Sequence, residues 1–166
     1  VLVRPASPAD AAAIAAIVER EVVHGVAHFG TTPPTPEDIG RDLATAGRYP
    51  FLVADQDGAV SGFAKASPWK TREAYTWTAE LGVYLAPAAQ GRGVGRTLVS
   101  ALIAELEARG FRTLLAGIAL PNAASVRLFE SLGFESVGVI RNNGFKHGRW
   151  HDVGYWSKHL GSGPPG

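Results

Sequence analysis

The run Gln90-Gly91-Arg92-Gly93-Val94-Gly95-Arg96 sets three glycines at alternate positions beside two arginines. It lies between an extended apolar segment, Leu81-Gly82-Val83-Tyr84-Leu85, and a segment where Val94, Leu98, Leu102 and Leu106 recur at every fourth position. That recurrence draws one apolar stripe along a helix, so the glycines fall where a strand gives way to a helix. The first turn of a helix carries N–H groups without helical partners, and its dipole favours an anion there. Glycine lets the backbone approach a phosphate because no Cβ intervenes. The chemistry implied is phosphate binding, and the expected ligand is a phosphorylated cofactor.

Spacing decides among the families that place glycines before a helix. A P-loop closes with Gly-Lys-Ser or Gly-Lys-Thr, and neither follows Gly95. A dinucleotide fingerprint needs G-x-G-x-x-G, which Gly91, Gly93 and Gly95 do not satisfy. The run Gln90-x-x-Gly93-x-Gly95 resembles the acyl-CoA signature of the GCN5-related N-acetyltransferases (GNAT); on those residues alone, a loop that merely starts a helix is the competing reading. A second stretch, residues 122–134, resembles the other family signature, an Asn-led helix ending in Leu132-Gly133-Phe134. Trp69-Lys70-Thr71-Arg72-x-x-Tyr75, Leu120-Pro121-Asn122, Ser125-Val126-Arg127-Leu128 and the stretch from Lys146 to Gly154 are similar to the phosphinothricin and methionine sulfoximine acetyltransferases. The resemblance runs in order from about Val3 to about Lys158.

This resemblance implies a GNAT-type α+β fold: a mixed, mainly antiparallel central sheet flanked by helices, with splayed central parallel strands. It implies acetyl-CoA as co-substrate, its pantetheine arm held where the strands around residues 81–85 and 113–119 part. The backbone amides of Val83 and Leu85 are expected to face that arm. Gly82 suits a bulge, or is a packing gap. Gln90, Gly91, Arg92, Gly93, Val94, Gly95 and Arg96 are expected to hold the pyrophosphate, with solvated arginines as the alternative for Arg92 and Arg96. Asn122 and Ser125 are candidates for the pantetheine, although Asn122 also suits a helix cap.

Acetyl transfer to an amine requires that an ammonium lose its proton. Glu80 is the charged residue of the strand Thr76-Trp77-Thr78-Ala79-Glu80-Leu81, and period two puts it on the face of Gly82 and Tyr84. It is the candidate base, an exposed strand carboxylate being the alternative. The family resemblance supports it, because the subfamily's base aligns here. Many family members carry a tyrosine, and the phosphinothricin group can carry a histidine, where this chain has Phe129. Phenylalanine holds no proton, so water or Tyr84 serves, or the thiolate leaves unprotonated. For the acceptor, Lys70 and Arg72 are candidates to bind anionic groups, with Phe29, Trp69 and Tyr75 as walls; a solvated basic loop is the alternative.

The 166 residues suit one core, expected over residues 1–160, with a flexible Gly/Pro tail over 161–166. A net charge of +1 argues for neither nucleic acid nor membrane as a partner, and no apolar run approaches the ~20 residues of a membrane span. Without cysteine the chain has no disulfide and no thiol nucleophile, which fits the cytoplasm. The first residues read as a strand and a capped helix rather than a signal peptide. His24 and His28, like His147 and His151, are four apart, but Gly25 and Gly148 interrupt both pairs and no third ligand is spaced to complete a metal site. Two strands are expected near residues 135–141 and 152–158, and the subfamily's carboxyl-terminal strands imply a homodimer. The expected activity is direct acetylation of the α-amine of a small amino-acid analogue, with a polyamine, an aminoglycoside, a protein N-terminus or a non-catalytic acetyl-CoA module as the alternatives.

Overall fold

The computed structural model describes residues 1–161, 163 and 164. Its strands are β1 (Leu2–Pro5), β2 (Phe51–Gln56), β3 (Ala59–Pro68), β4 (Thr78–Leu85), β5 (Thr113–Leu120), β6 (Glu135–Lys146) and β7 (Arg149–His159). Its helices are α1 (Ala11–His24), α2 (Pro36–Thr45), α3 (Val94–Ala108) and α4 (Ala123–Ser131). The strands form one sheet in the order β1-β2-β3-β4-β5-β7-β6. Every neighbouring pair is antiparallel except β4 and β5. The tail expected over 161–166 lies partly outside the described residues; within it, the carbonyls of Gly163 and Pro164 accept hydrogen bonds from Arg112.

Alternation along the strands sorts the core into two layers. Phe51, Val53 and Phe63 pack with Ile14, Ile17, Val18 and Val22 of α1 and Ile39 of α2. Leu52, Ala54, Ala64 and Ala66 point to the opposite face and meet α3. Leu98, Leu102 and Leu106, the stripe legible in the sequence, are fully buried there. Burying each contributes roughly 1.5–3 kcal/mol, which fixes α3 and therefore the glycine loop ahead of it. On β1, Arg4 reaches Asp10 at the foot of α1 (2.9 Å) and Asp55 on β2 (3.0 Å). Its guanidinium holds the Asp10 carboxyl down at about 2.

Two expectations are corrected. Gly82 makes no bulge: β3 and β4 keep one continuous register from Pro68 opposite Ala79 to Gly62 opposite Leu85. The adjustment occurs on the other side of β4, where its pairing with β5 ends. The last two strands are also longer than expected. They run to Lys146 and from Arg149, closing on His147 and Gly148, both at positive φ. The irregularity that disguised this length is a bulge between Ile140 and Gly144, where Asn142 adopts a φ of 50° and its amide donates to Asp152 at 2.9 Å. Asparagine tolerates that left-handed conformation better than most residues, so Asn-Asn-Gly reads locally as a strand end.

Candidate active site

The site originates in a break in the sheet. β4 and β5 pair only where Thr78, Ala79 and Glu80 face Thr113, Leu114 and Leu115. Past Glu80, β4 continues along β3 and β5 continues along β7 to Leu120, so the sheet opens between them. The amide of Ala86 donates to Ser61 on the β3 side at 2.9 Å. Ladder groups alternate sides along a strand, so the amides of Val83 and Leu85 point the other way, into the opening. Leaving a buried amide unpaired costs about 1–3 kcal/mol, which makes this seam receptive to a ligand carbonyl.

Toward α3 the opening widens into a cleft of about 700 Å³ lined by Val83, Leu85, Gln90, Gly91, Gly93, Gly95, Arg96, Asn122 and Ser125. Gly93 is the N-cap of α3 with a φ of 79°, and Gly91 has a φ of 71°. Side chains resist that conformation, and a Cβ at either position would meet nothing within 4 Å, so the space above the loop is open. Gly95 serves packing instead: a Cβ there would touch Leu128 of α4 at 3.4 Å. The side chain of Val94 is buried in the core, which leaves its backbone as the part near the cleft. Arg96 donates to Ser131 Oγ at 2.6 Å, tying α3 to the end of α4 across the cleft. Arg92 is exposed and does not line the cleft. Arg127, Leu128 and Ser131 also line it and were not anticipated; with Ala124 they fall on one helical face, three and four residues apart, a signal the sequence carried. Asn122 accepts from the Ser125 amide at 3.2 Å, so the capping role is realised. Its Nδ2 makes no hydrogen bond among the described residues.

On the α1–α2 side lies a cavity of about 390 Å³ lined by Glu80, Gly82, Tyr84, Gly117, Ala119 and Phe129 among others. The cleft and this cavity share Ala27, Val83, Tyr84, Asn122 and Ser125, so the opened seam passes from one to the other. A side pocket of about 310 Å³ leads off beside Glu80 and Tyr84, walled by His28, Phe29, Ala119, Asn143, Val153 and Tyr155. Tyr155 stands opposite Gly117 across β5 and β7, and a Cβ on Gly117 would approach its ring to 3.1 Å. The absence of that Cβ makes room for the ring toward Glu80.

The electrostatics divide the roles. Burial pushes the Glu80 carboxyl above its ordinary value, while the Lys70 ammonium pulls it back. Tyr84 is pushed up to about 12 by burial and by the charges of Glu21 and Glu80. A phenol that weak is a poorer acid than a thiol of pKa about 8.5, so Tyr84 offers a hydrogen bond rather than net protonation of a thiolate. Phe129 is buried, with its ring edge-on to Phe134 at 5.1 Å, and supplies no proton.

The structure thus brings Glu80, Tyr84 and Phe29 together. Trp69 stands one layer out, edge-on to Tyr155 at 5.6 Å, and Lys70 lies over the Trp69 ring at 5.1 Å. Arg72 and Tyr75 are exposed on the following turn and line none of these spaces. His28, Asn143, Val153 and Tyr155 are pocket walls that sequence reasoning missed. Asn143 is delivered by the β6 bulge, and Tyr155 is recognisable only once β7 is paired with Gly117. Among the described residues no group of three His, Cys, Asp or Glu is arranged to hold a metal ion, and no helix is long and apolar enough to cross a membrane.

Comparison with known proteins adds four results of one kind. A family model described as an acetyltransferase (GNAT) domain matches residues 3–154. A phosphinothricin N-acetyltransferase of Streptomyces viridochromogenes is 46% identical over 94% of this chain and 86% of its own. An L-methionine sulfoximine/L-methionine sulfone acetyltransferase of Salmonella typhimurium is 37% identical over 95% of this chain and 94% of its own. The crystal structure of a GNAT superfamily phosphinothricin acetyltransferase from Sinorhizobium meliloti in complex with acetyl-CoA superposes with a TM-score of 0.92. That protein is 39% identical, and the match covers 96% of this chain and 88% of the other.

Replacing Glu80 with Gln is expected to lower the rate of acetyl transfer by roughly 10²-fold near pH 7, the usual worth of a positioned base. Only the ionised carboxylate accepts a proton. Wild-type activity should therefore fall as pH drops through the raised pKa of Glu80, and the variant should lack that limb. The deficit should shrink at alkaline pH, where free amine is abundant. Burial disfavours the ionised form, so a raised folded-state pKa means stability declines as pH rises through it. The Gln variant is accordingly expected to melt no lower than wild type at pH 7. Near-wild-type turnover at pH 7 would assign the base elsewhere.

Proposed function

The chain belongs to the GNAT family and is an acetyl-CoA-dependent N-acetyltransferase, and we propose that its acceptor is the α-amine of a small amino-acid analogue of the phosphinothricin or methionine sulfoximine type. The observation that carries this reading is the single passage joining the glycine-loop cleft to a small pocket beside Glu80. A cofactor lying along the cleft with its thioester at Val83 and Tyr84 meets an amine seated by Glu80, so both substrates fit at once. Direct transfer in a ternary complex follows, and the lack of cysteine leaves no thiol to carry the acetyl group in a separate step.

In that complex the ammonium gives one proton to Glu80, directly or through water. The freed lone pair attacks the thioester carbon. The oxyanion that forms lies against the amides of the opened β4 edge, Val83 foremost. Collapse breaks the carbon–sulfur bond, and the second amine proton goes either to the departing thiolate, giving amide and thiol, or to water, giving amide and a free thiolate. Each unit by which burial raises the Glu80 pKa narrows the gap to the ammonium by about 1.4 kcal/mol, so burial is an aid to catalysis. The pyrophosphate belongs at Gly91, Gly93, Gly95 and the first amides of α3, with Arg96 beside it; Asn122 and Ser125 belong to the pantetheine.

Lys70 and Arg72 are assigned to the carboxylate and the polar end of the acceptor. Among the described residues neither makes an ion pair, and their loop adjoins the pocket through Trp69 and Tyr155. We also assign a homodimer. Val137, Val139, Ile140, Phe145 and Trp150 expose 49–65% of their surface on the outermost hairpin. An apolar edge of this kind invites a partner. A cytoplasmic location fits the same reading.

An acceptor panel tests the substrate class. Phosphinothricin or methionine sulfoximine is expected to give a kcat/KM at least about 100-fold above spermidine or kanamycin, a difference of ~2.7 kcal/mol. Arg72→Ala should cost about 1.5–3 kcal/mol in kcat/KM for the free acid and much less for its ester, which has no charge to lose. Equal losses would remove Arg72 from the carboxylate, and spermidine as best substrate would overturn the acceptor class.

The oligomer is tested separately. Light scattering should return twice the chain mass, and Val139→Glu should return the single chain mass with its fold intact. A monomeric wild type would remove the dimer assignment.

A further inference from the structure

Lys146 ends β6 and is 4% exposed. Among the described residues its ammonium makes no ion pair. It donates instead to two main-chain carbonyls, that of Glu21 at 3.1 Å and that of His28 at 2.6 Å. The first lies in the last turn of α1, where a helix dipole favours a cation. The second lies in the loop that joins α1 to α2. Burying an ammonium is costly, and nothing in the packing of the sheet requires one here.

The loop explains the lysine. Among the described residues, the segment from Gly25 to Pro34 receives hydrogen bonds from the rest of the sheet only through this hairpin: Lys146 at His28, and His147 Nε2 at the Gly25 carbonyl, 3.0 Å away. Phe29 lies so close to Gly144 that a Cβ there would sit 2.2 Å from its ring. The hairpin end is itself fixed by His151, whose Nε2 meets the Lys146 carbonyl at 2.9 Å. Ala27, His28, Phe29 and Gly30 are in turn the wall of the pocket facing Glu80 and Tyr155. His28 also packs on Tyr84, ring centroids 5.6 Å apart.

We infer that Lys146 is a positioning residue for the acceptor: it straps the α1–α2 loop to the β6–β7 hairpin and so forms the amine pocket without touching the amine. This rests on reading the pocket beside Glu80 as the acceptor site. The strapped segment touches the glycine-loop cleft only at its edge, through Val26 and Ala27, whereas Ala27, His28, Phe29 and Gly30 all wall the pocket beside Glu80; the effect of losing the strap therefore falls mainly on the acceptor. Buried carbonyls left without their donor also cost stability, which makes a substrate-selective readout necessary.

Lys146→Met keeps the apolar stem and removes the ammonium. In the ligand-free protein, amide hydrogen exchange across residues 25–34 should accelerate at least tenfold, with α3 and β5 unchanged. The KM for phosphinothricin, or for the best amine of the panel, should rise at least tenfold while the KM for acetyl-CoA stays within twofold. Lys146→Arg, which retains charge and donors, should restore most of the acceptor affinity; it also serves if the Met variant does not fold, where Lys146→Gln replaces it. Unchanged exchange in 25–34 overturns the strap. Accelerated exchange with an unchanged acceptor KM, or a parallel rise in both KM values, overturns the positioning role. The exchange arm needs no substrate, so a failed acceptor panel beside accelerated exchange faults the acceptor assignment and not the strap.

Discussion

The site depends on one interrupted strand pairing. A parallel pair inside a sheet normally satisfies its backbone along its whole length, but β4 and β5 part after Glu80 and Leu115. The rest of the fold makes that parting tolerable. β3 holds β4 in one unbroken register, and β7 holds β5 as far as Leu120, so each strand stays extended while the seam between them opens. The buried leucine stripe of α3 pins the glycine loop at one mouth, and α4 closes the other side through Leu128 against Gly95. A backbone edge that would be a defect elsewhere becomes the place where a carbonyl-bearing ligand can complete the sheet.

The same opening sets the electrostatics. Glu80 stands at the last paired position of β4, where desolvation lifts its carboxyl toward the range of a useful base and Lys70 limits how far. Tyr84, two turns of the pleat further on, is pushed up to about 12 by burial and by the charges of Glu21 and Glu80, so it stays a phenol at neutral pH. With Phe129 buried where a proton donor would otherwise stand, the proposed mechanism assigns one titrating group, Glu80, to the amine and none to the thiolate. A thiol of pKa about 8.5 is a competent leaving group without one. On the proposed reading, the burial that lowers folding stability at neutral pH also raises the fitness of Glu80 as a base, an instance of the trade between stability and activity.

Most of this was legible in the sequence because the relevant signals are local. The period of Val94, Leu98, Leu102 and Leu106, the alternate glycines, Asn122 before its helix, and Glu80 in phase with Gly82 and Tyr84 each follow from neighbours within a few positions. What escaped is what depends on pairing between distant strands. Tyr155 enters the pocket only because Gly117, nearly forty positions earlier, lies opposite it. Asn143 enters through a bulge whose Asn-Asn-Gly composition resembles a chain turn. A glycine inside a strand suggests a bulge or a packing gap at Gly82, whereas β4 keeps its register with β3 and breaks from β5 instead. Charge and the family resemblance around Trp69 single out Lys70 and Arg72; that neither side chain lines the pocket is a property of the loop after Trp69, which no periodicity encodes.

On the proposed reading, the opened β4 edge and the α3 glycine loop together receive acetyl-CoA. Backbone amide chemical shifts test it most directly. In ¹H–¹⁵N spectra recorded with acetyl-CoA and no acceptor, the amides of Val83, Leu85, Gly93 and Gly95 should move together in one saturable transition, while those of β1 and β2 stay in place. Saturable binding that leaves Val83 and Leu85 unmoved and shifts residues away from the seam would contradict the account.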